Sequence, residues 1–296
     1  MLEQDVITVF RSANRRACEE RLLVLTAVGV EAAVSAAAGE FLLQVAPADA
    51  AHALRQLLHY EAENRPAPPA PPPPTPYAHA WIGCAGYLIV LIGVAWVLSN
   101  GLVRLDAFDL GELDAARVQA GEWWRAWTAL TLHLDAAHLV ANLTAGTWFG
   151  YLAARQMGVG NAWLIAVTGA ALANLLEGLL GPPGHRAVGA STAVFSALGA
   201  MSAYSWRERL ALPQRWARRW GPLVAGVVLL GWTGSGGEGT DVDVVAHVAG
   251  FAVGALLGAA AALPVCRRQL RRVPQWITGG LALGSILIAW ACALAS

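Results

Sequence analysis

Asp243-Val-Val-Ala-His247-Val-Ala-Gly250-Phe-Ala-Val-Gly254-Ala-Leu-Leu-Gly258 is the stretch on which the fold turns. Between its opening aspartate and its last glycine it has one ionisable side chain, His247. With the residues up to Leu263 it reaches the roughly 20 apolar residues that a helix needs to cross a bilayer. Its glycines recur every fourth residue, on one helix face, where they form a groove that lets another backbone approach closely. Residues 189–206 supply small groups to fill such a groove: Ala193, Ser196, Ala197, Gly199 and Ala200.

The rest of the chain has the same character. Of 296 residues, 56% are hydrophobic and 14% are charged, and mean hydropathy is +0.49. Soluble domains carry roughly 25% charged residues, so an ordinary soluble enzyme is excluded, as is a disordered chain. Twenty basic and twenty acidic residues cancel, which argues against a nucleic-acid surface. The composition predicts a multi-pass helical membrane protein. Spans are expected near 80–98, 136–154, 161–180, 189–206, 220–232, 243–263 and 276–294, seven in all.

Orientation follows from arginine, the only basic residue besides histidine. Arg155, then Arg207, Arg209, Arg215, Arg218 and Arg219, then Arg267, Arg268, Arg271 and Arg272 fall in loops on one side. Acidic residues dominate the other side, at 100–122 and 238–243. The positive-inside rule puts the amino terminus in the cytoplasm and the carboxyl terminus outside. A bacterial inner membrane is the expected location.

Residues 1–64 read differently. A strand at 5–11, an amphipathic helix at 14–28 stopped by Gly29, two short strands at 31–37 and 40–45 split by Gly39, and a helix at 49–64 suggest a small soluble β-α-β-β-α domain. Residues 65–76 are proline-rich and predict an extended polyproline spacer. Cys18, Cys84, Cys266 and Cys292 are far apart and form no CxxC pair, so neither disulfides nor a bound metal is expected. The first twenty residues hold Glu3, Asp5, Arg11, Arg15 and Arg16 among their charges and no apolar core, so no cleavable signal peptide is expected.

Polar residues then stand out. His138 and Asn142, four apart, share a helix face. Gly189-Ala190-Ser191-Thr192 opens the fourth span, and Asp243 precedes His247 in the sixth. Even-numbered spans all begin on the outer side, so Ser191, His138, Asn142 and His247 share one depth. Taken singly, each fits an interhelical hydrogen bond. Together, a serine beside a neutral histidine is the minimum for nucleophilic catalysis. Asn142, the second histidine and the free amides at the start of the fourth span are suited to hold an oxyanion. The glycine-rich run at 233–240 reads as a plain loop or as a gate to such a site.

Across residues 80–263 these motifs resemble the rhomboid family of intramembrane serine proteases. Trp124-Arg125 resembles its Trp-Arg motif, and His133, His138 and Asn142 resemble its His…His-x-x-x-Asn run. Gly189-Ala190-Ser191 resembles Gly-x-Ser, and Ala246-His247-x-x-Gly250-x-x-x-Gly254 resembles its Ala-His-x-x-Gly-x-x-x-Gly motif. The span after residue 263 resembles the six-plus-one form. The resemblance implies a core at 77–263 and an extra span within 264–296. It implies a Ser191–His247 dyad, an oxyanion hole from His138, Asn142 and the Ser191 amide, and no cofactor. The implied substrates are single-span membrane proteins, met in the lipid bilayer and cut near its outer face. Arg125 and His133 are then structural supports. Thr192 stands where the family commonly has glycine, which narrows the space beside the serine. An inactive rhomboid-like binder of membrane-protein clients is the alternative. A transporter fits less well, because its charges are expected at mid-span.

Overall fold

The computed structural model describes residues 5–64, 75–101, 106–210, 215–234 and 243–296. The polyproline reading of the linker, and all of the glycine-rich run except Thr233 and Gly234, lie outside the described residues. The chain divides into two compact units, Met1–Pro72 and Pro73–Ser296.

In the first unit, β1 (Ile7–Ser12), α1 (Arg15–Ala27), β2 (Ala32–Ala37), β3 (Glu40–Val45) and α2 (Ala50–Glu63) follow in order. The sheet runs β1-β3-β2, antiparallel throughout. Ala38 and Gly39 turn between β2 and β3 at φ 52° and 83°. That doubly left-handed turn matches the twist of a hairpin. Leu25, Val30, Leu43, Val45, Ala53 and Leu57 are buried between the sheet and the two helices. The Asn14 side chain caps α1 by accepting from the Arg16 amide, which satisfies one of the orphan donors of the first turn.

Among its described residues, the second unit is helical apart from one short ribbon. It comprises α3 (Trp81–Ser99), α4 (Ala107–Gly111), β4 (Leu113–Asp114), α5 (Ala115–Gln119), α6 (Arg125–Thr128), a 3-10 turn (Ala129–Thr131), α7 (Ala136–Met157), α8 (Val159–Leu180), β5 (Arg186–Ala187), α9 (Ser191–Leu210), α10 (Trp216–Gly234), α11 (Val244–Ala261), α12 (Pro264–Arg272) and α13 (Gln275–Ala295). Among the described residues, four helices, α3, α8, α11 and α13, are long and apolar enough to cross a membrane. The chain is an integral membrane protein.

Two segments differ from the sequence reading. Residues 106–131, which lie between the first two expected spans and for which no helix was expected, fold into short helices, because Asp106 and Asp114 each cap a helix start. Residues 264–272, expected as loop, form α12. Pro264 occupies its first helical position, where a missing N–H costs nothing.

At the centre of the unit lies α9, packed against α7, α8, α10 and α11. Small side chains allow this. A Cβ added at Gly254 would meet the Ser196 backbone, one at Gly258 the Ala200 backbone, and one at Gly199 the Phe251 backbone. The α11 glycine stripe is therefore the surface on which α9 rests, at backbone-to-backbone contact. Dispersion acts over the whole seam, which any added methyl group would open.

Candidate active site

Two aspartate caps set the register of the histidines. Asp135 accepts from the His138 amide at the start of α7, and Asp243 accepts from the Ala246 amide at the start of α11. Both histidines therefore fall in or next to a first helical turn. Between them comes the entry to α9. Gly189 has φ 130°, a conformation that a side chain resists. A Cβ there would lie 2.7 Å from His138 Cε1, 2.8 Å from His138 Nε2 and 3.7 Å from Asn142 Nδ2. The bare backbone of Gly189 thus brings the α7 pair against the start of α9, two residues before Ser191.

A cavity of about 940 Å³ opens at this junction, and Ser191, His247, His138 and Asn142 all line it. Ser191 and His138 are half-buried, while Asn142 and His247 are buried. The His247 ring lies 4.4 Å from the Phe195 ring, tilted by 39°. Phe195 is four residues from Ser191 on the same face of α9. Sequence reading missed it, although that spacing was the available signal. On the opposite wall, Asn142 donates to the His138 carbonyl at 3.1 Å and its own carbonyl accepts from the Tyr87 hydroxyl at 2.8 Å. Ala193 and Val194 both donate to the Ala190 carbonyl. The amides before them, at Ser191 and Thr192, head the helix and have no preceding turn to bond.

His133 supports this entry. Its Nε2 accepts from the Ala190 amide at 3.4 Å, and its ring stands edge-on to His138 at 5.1 Å. Burial, and then the neighbouring His138, push the His133 imidazole down to about 4. It is therefore neutral at pH 7, as an acceptor nitrogen requires.

Trp124, Arg125, Gly250 and Gly254 do not line the cavity. Arg125 is 1% exposed and binds Glu122 Oε2 at 2.6 Å, the Glu112 carbonyl at 2.9 Å and the Asp109 carbonyl at 2.8 Å. It fastens α4, the β4 approach and α6 together, while Glu112 reaches the cavity wall. Trp124 packs edge-on against Trp123. Gly250 faces Thr192, whose carbonyl oxygen and methyl group would lie 2.6 Å and 3.0 Å from an added Cβ. The methyl of Thr192 thus occupies the space that the missing side chain of Gly250 leaves.

Residues 120–263 match the family described as the Rhomboid domain. The rhomboid protease GluP of Bacillus subtilis (strain 168) is 28% identical over 166 residues, 56% of this chain and 31% of its own. RHOMBOID-like protein 1 of Arabidopsis thaliana is 30% identical over 159 residues, 53% of this chain and 40% of its own. RHOMBOID-like protein 7 of the same plant is 33% identical over 165 residues, 54% of this chain and 48% of its own. The chain thus spans less than half the length of each of these relatives.

Proposed function

The chain belongs to the rhomboid family, and we propose that it is a serine endopeptidase that cleaves single-span membrane proteins within the bilayer, near its outer face. In this reading the Ser191 Oγ attacks the scissile carbonyl while the neutral His247 imidazole takes its proton. His138, Asn142 and the Ser191 amide donate to the oxyanion of the tetrahedral intermediate. As the C–N bond breaks, His247 returns the proton to the leaving amine. Water, activated by the same imidazole, then releases the acyl group from Ser191. Four side chains from three helices converge on one cavity, and that convergence supports the assignment.

The remaining parts take their places around this chemistry. Residues 1–64 form a small cytoplasmic domain, 65–76 a linker, 77–263 the six-span catalytic core and 264–296 the extra span. The amino terminus lies inside and the carboxyl terminus outside.

The test is cleavage of a model single-span substrate by the purified chain, with Ser191→Ala and His247→Ala alongside. Both variants should lose activity, and only chains with Ser191 should react with a serine-directed fluorophosphonate. Equal cleavage by wild type and Ser191→Ala defeats the proposal. Substrate binding without any fluorophosphonate labelling would instead make the chain a non-catalytic binder.

A further inference from the structure

Glu177 lies in the last turn of α8 with 5% of its side chain exposed. Two segments distant in sequence close on it: His185, from the link between α8 and α9, and Asp243, the cap of α11. His185 Nε2 is 3.2 Å from Glu177 Oε1 and 3.4 Å from Asp243 Oδ2. One oxygen or nitrogen from each of the three lies within 4.8 Å of the others. Yet neither His185 Nε2 nor Glu177 Oε2 makes a hydrogen bond, although both atoms are buried. The three groups surround a common point, where the Glu177 and Asp243 carboxyl groups also come within hydrogen-bonding reach of each other.

Two carboxylates at such range repel unless a shared proton or another positive charge lies between them. The nearest arginine in sequence is committed elsewhere, since Arg186 pairs with Glu112 at 2.9 Å and Asp114 at 3.3 Å. The spacing fits a metal. Ligand atoms roughly 2.0–2.1 Å from a tetrahedral zinc ion stand about 3.3 Å apart, close to both distances from His185 Nε2. One imidazole with two carboxylates is also a donor set that zinc accepts.

We propose that Glu177, His185 and Asp243 form a binding site for a divalent transition cation of the zinc class, with a fourth position left for water. Asp243 serves two purposes there. Its Oδ1 caps α11 and its Oδ2 faces the cluster. A bound cation therefore ties the first turn of α11, which carries His247, to the end of α8. Binding stands whether or not Ser191 acts as a nucleophile.

The experiment uses the purified full chain in detergent, stripped with a chelator and titrated with zinc by calorimetry and with cobalt by absorption. Wild type should take up one cation per chain, with the intense visible bands of four-coordinate cobalt, and should melt at a higher temperature once loaded. His185→Gln and Asp243→Asn should weaken binding by more than the roughly 10–100-fold that loss of a supporting group costs. Circular dichroism checks that each variant is folded. His59→Ala removes an exposed histidine 3.3 Å from Glu63 and should leave uptake unchanged. Equal uptake by wild type and His185→Gln overturns the site, as does loss of uptake in His59→Ala. Absence of uptake at neutral pH, with a protonated-carboxyl infrared band that disappears in Glu177→Gln, overturns it in favour of a shared proton.

Discussion

Gly254→Ala adds one methyl group at the backbone-to-backbone seam between α9 and α11. The new carbon would lie 2.6 Å from Ser196 Cα and 2.7 Å from Ser196 C. Carbon atoms settle at about 3.5–4.0 Å, so the two backbones must part by about 1 Å. Neither side can yield by rotating a side chain, because the contact is with main chain. Overpacking of this kind costs about 1–3 kcal/mol. The displacement also separates the helix of Ser191 from that of His247. A shift of about 1 Å between reacting groups costs on the order of 100-fold in rate, or about 2.7 kcal/mol of barrier. The assay pairs thermal unfolding in detergent with cleavage of the single-span substrate. Gly280→Ala is the control, since a Cβ there meets nothing within 4 Å, and it should melt no lower than wild type and cleave normally. If Gly254→Ala cleaves at the wild-type rate and melts where wild type does, the reasoning fails.

Two further perturbations test the supports of the site. Arg125→Ala strands the Glu122 carboxylate and two carbonyls beneath the 106–131 segment, and should cost about 3 kcal/mol, read as a lowered melting temperature. Arg125→Lys should recover only part of it, because an ammonium does not reproduce the fork that meets three acceptors. His133 should make the folded state acid-sensitive. Its pKa falls from about 6.5 unfolded to about 4 folded, so between those values only the unfolded chain takes the proton. Stability is then complete above about pH 6.5 and declines as the pH drops toward 4. His133→Gln keeps an acceptor for Ala190 without titrating, so its melting temperature should vary less across that window than that of wild type.

Much of the architecture was legible in the residues because hydrocarbon permits few solutions. A run such as 276–294 has to satisfy its backbone internally, and it does so as the helix Gln275–Ala295. Helix ends were less legible. The helix expected to begin at 220 begins at Trp216, since Ala217, Arg218 and Arg219 are good helix formers whose two charges interrupt the apolar run. The 106–131 segment was illegible for a different reason. Its short helices are held by Arg125, by Gln119 reaching the Gly178 and Gly181 carbonyls, and by the β4–β5 ribbon to Arg186–Ala187. All but some of the Arg125 bonds join residues more than fifty positions apart or between separate short elements, and no local period encodes them.

The sequence by itself determined that this chain lives in a membrane and which helix faces are smooth, because hydropathy and glycine spacing are properties of single helices. It also singled out Ser191, His138, Asn142 and His247, because polar groups are rare in apolar runs. Only the tertiary structure decided that Gly189 turns with a left-handed φ beneath His138, that Phe195 packs against His247, and that Glu177, His185 and Asp243 meet. Each of those depends on the distance between separate elements, fixed by backbone contacts such as Gly254 on Ser196 to within the width of a methyl group.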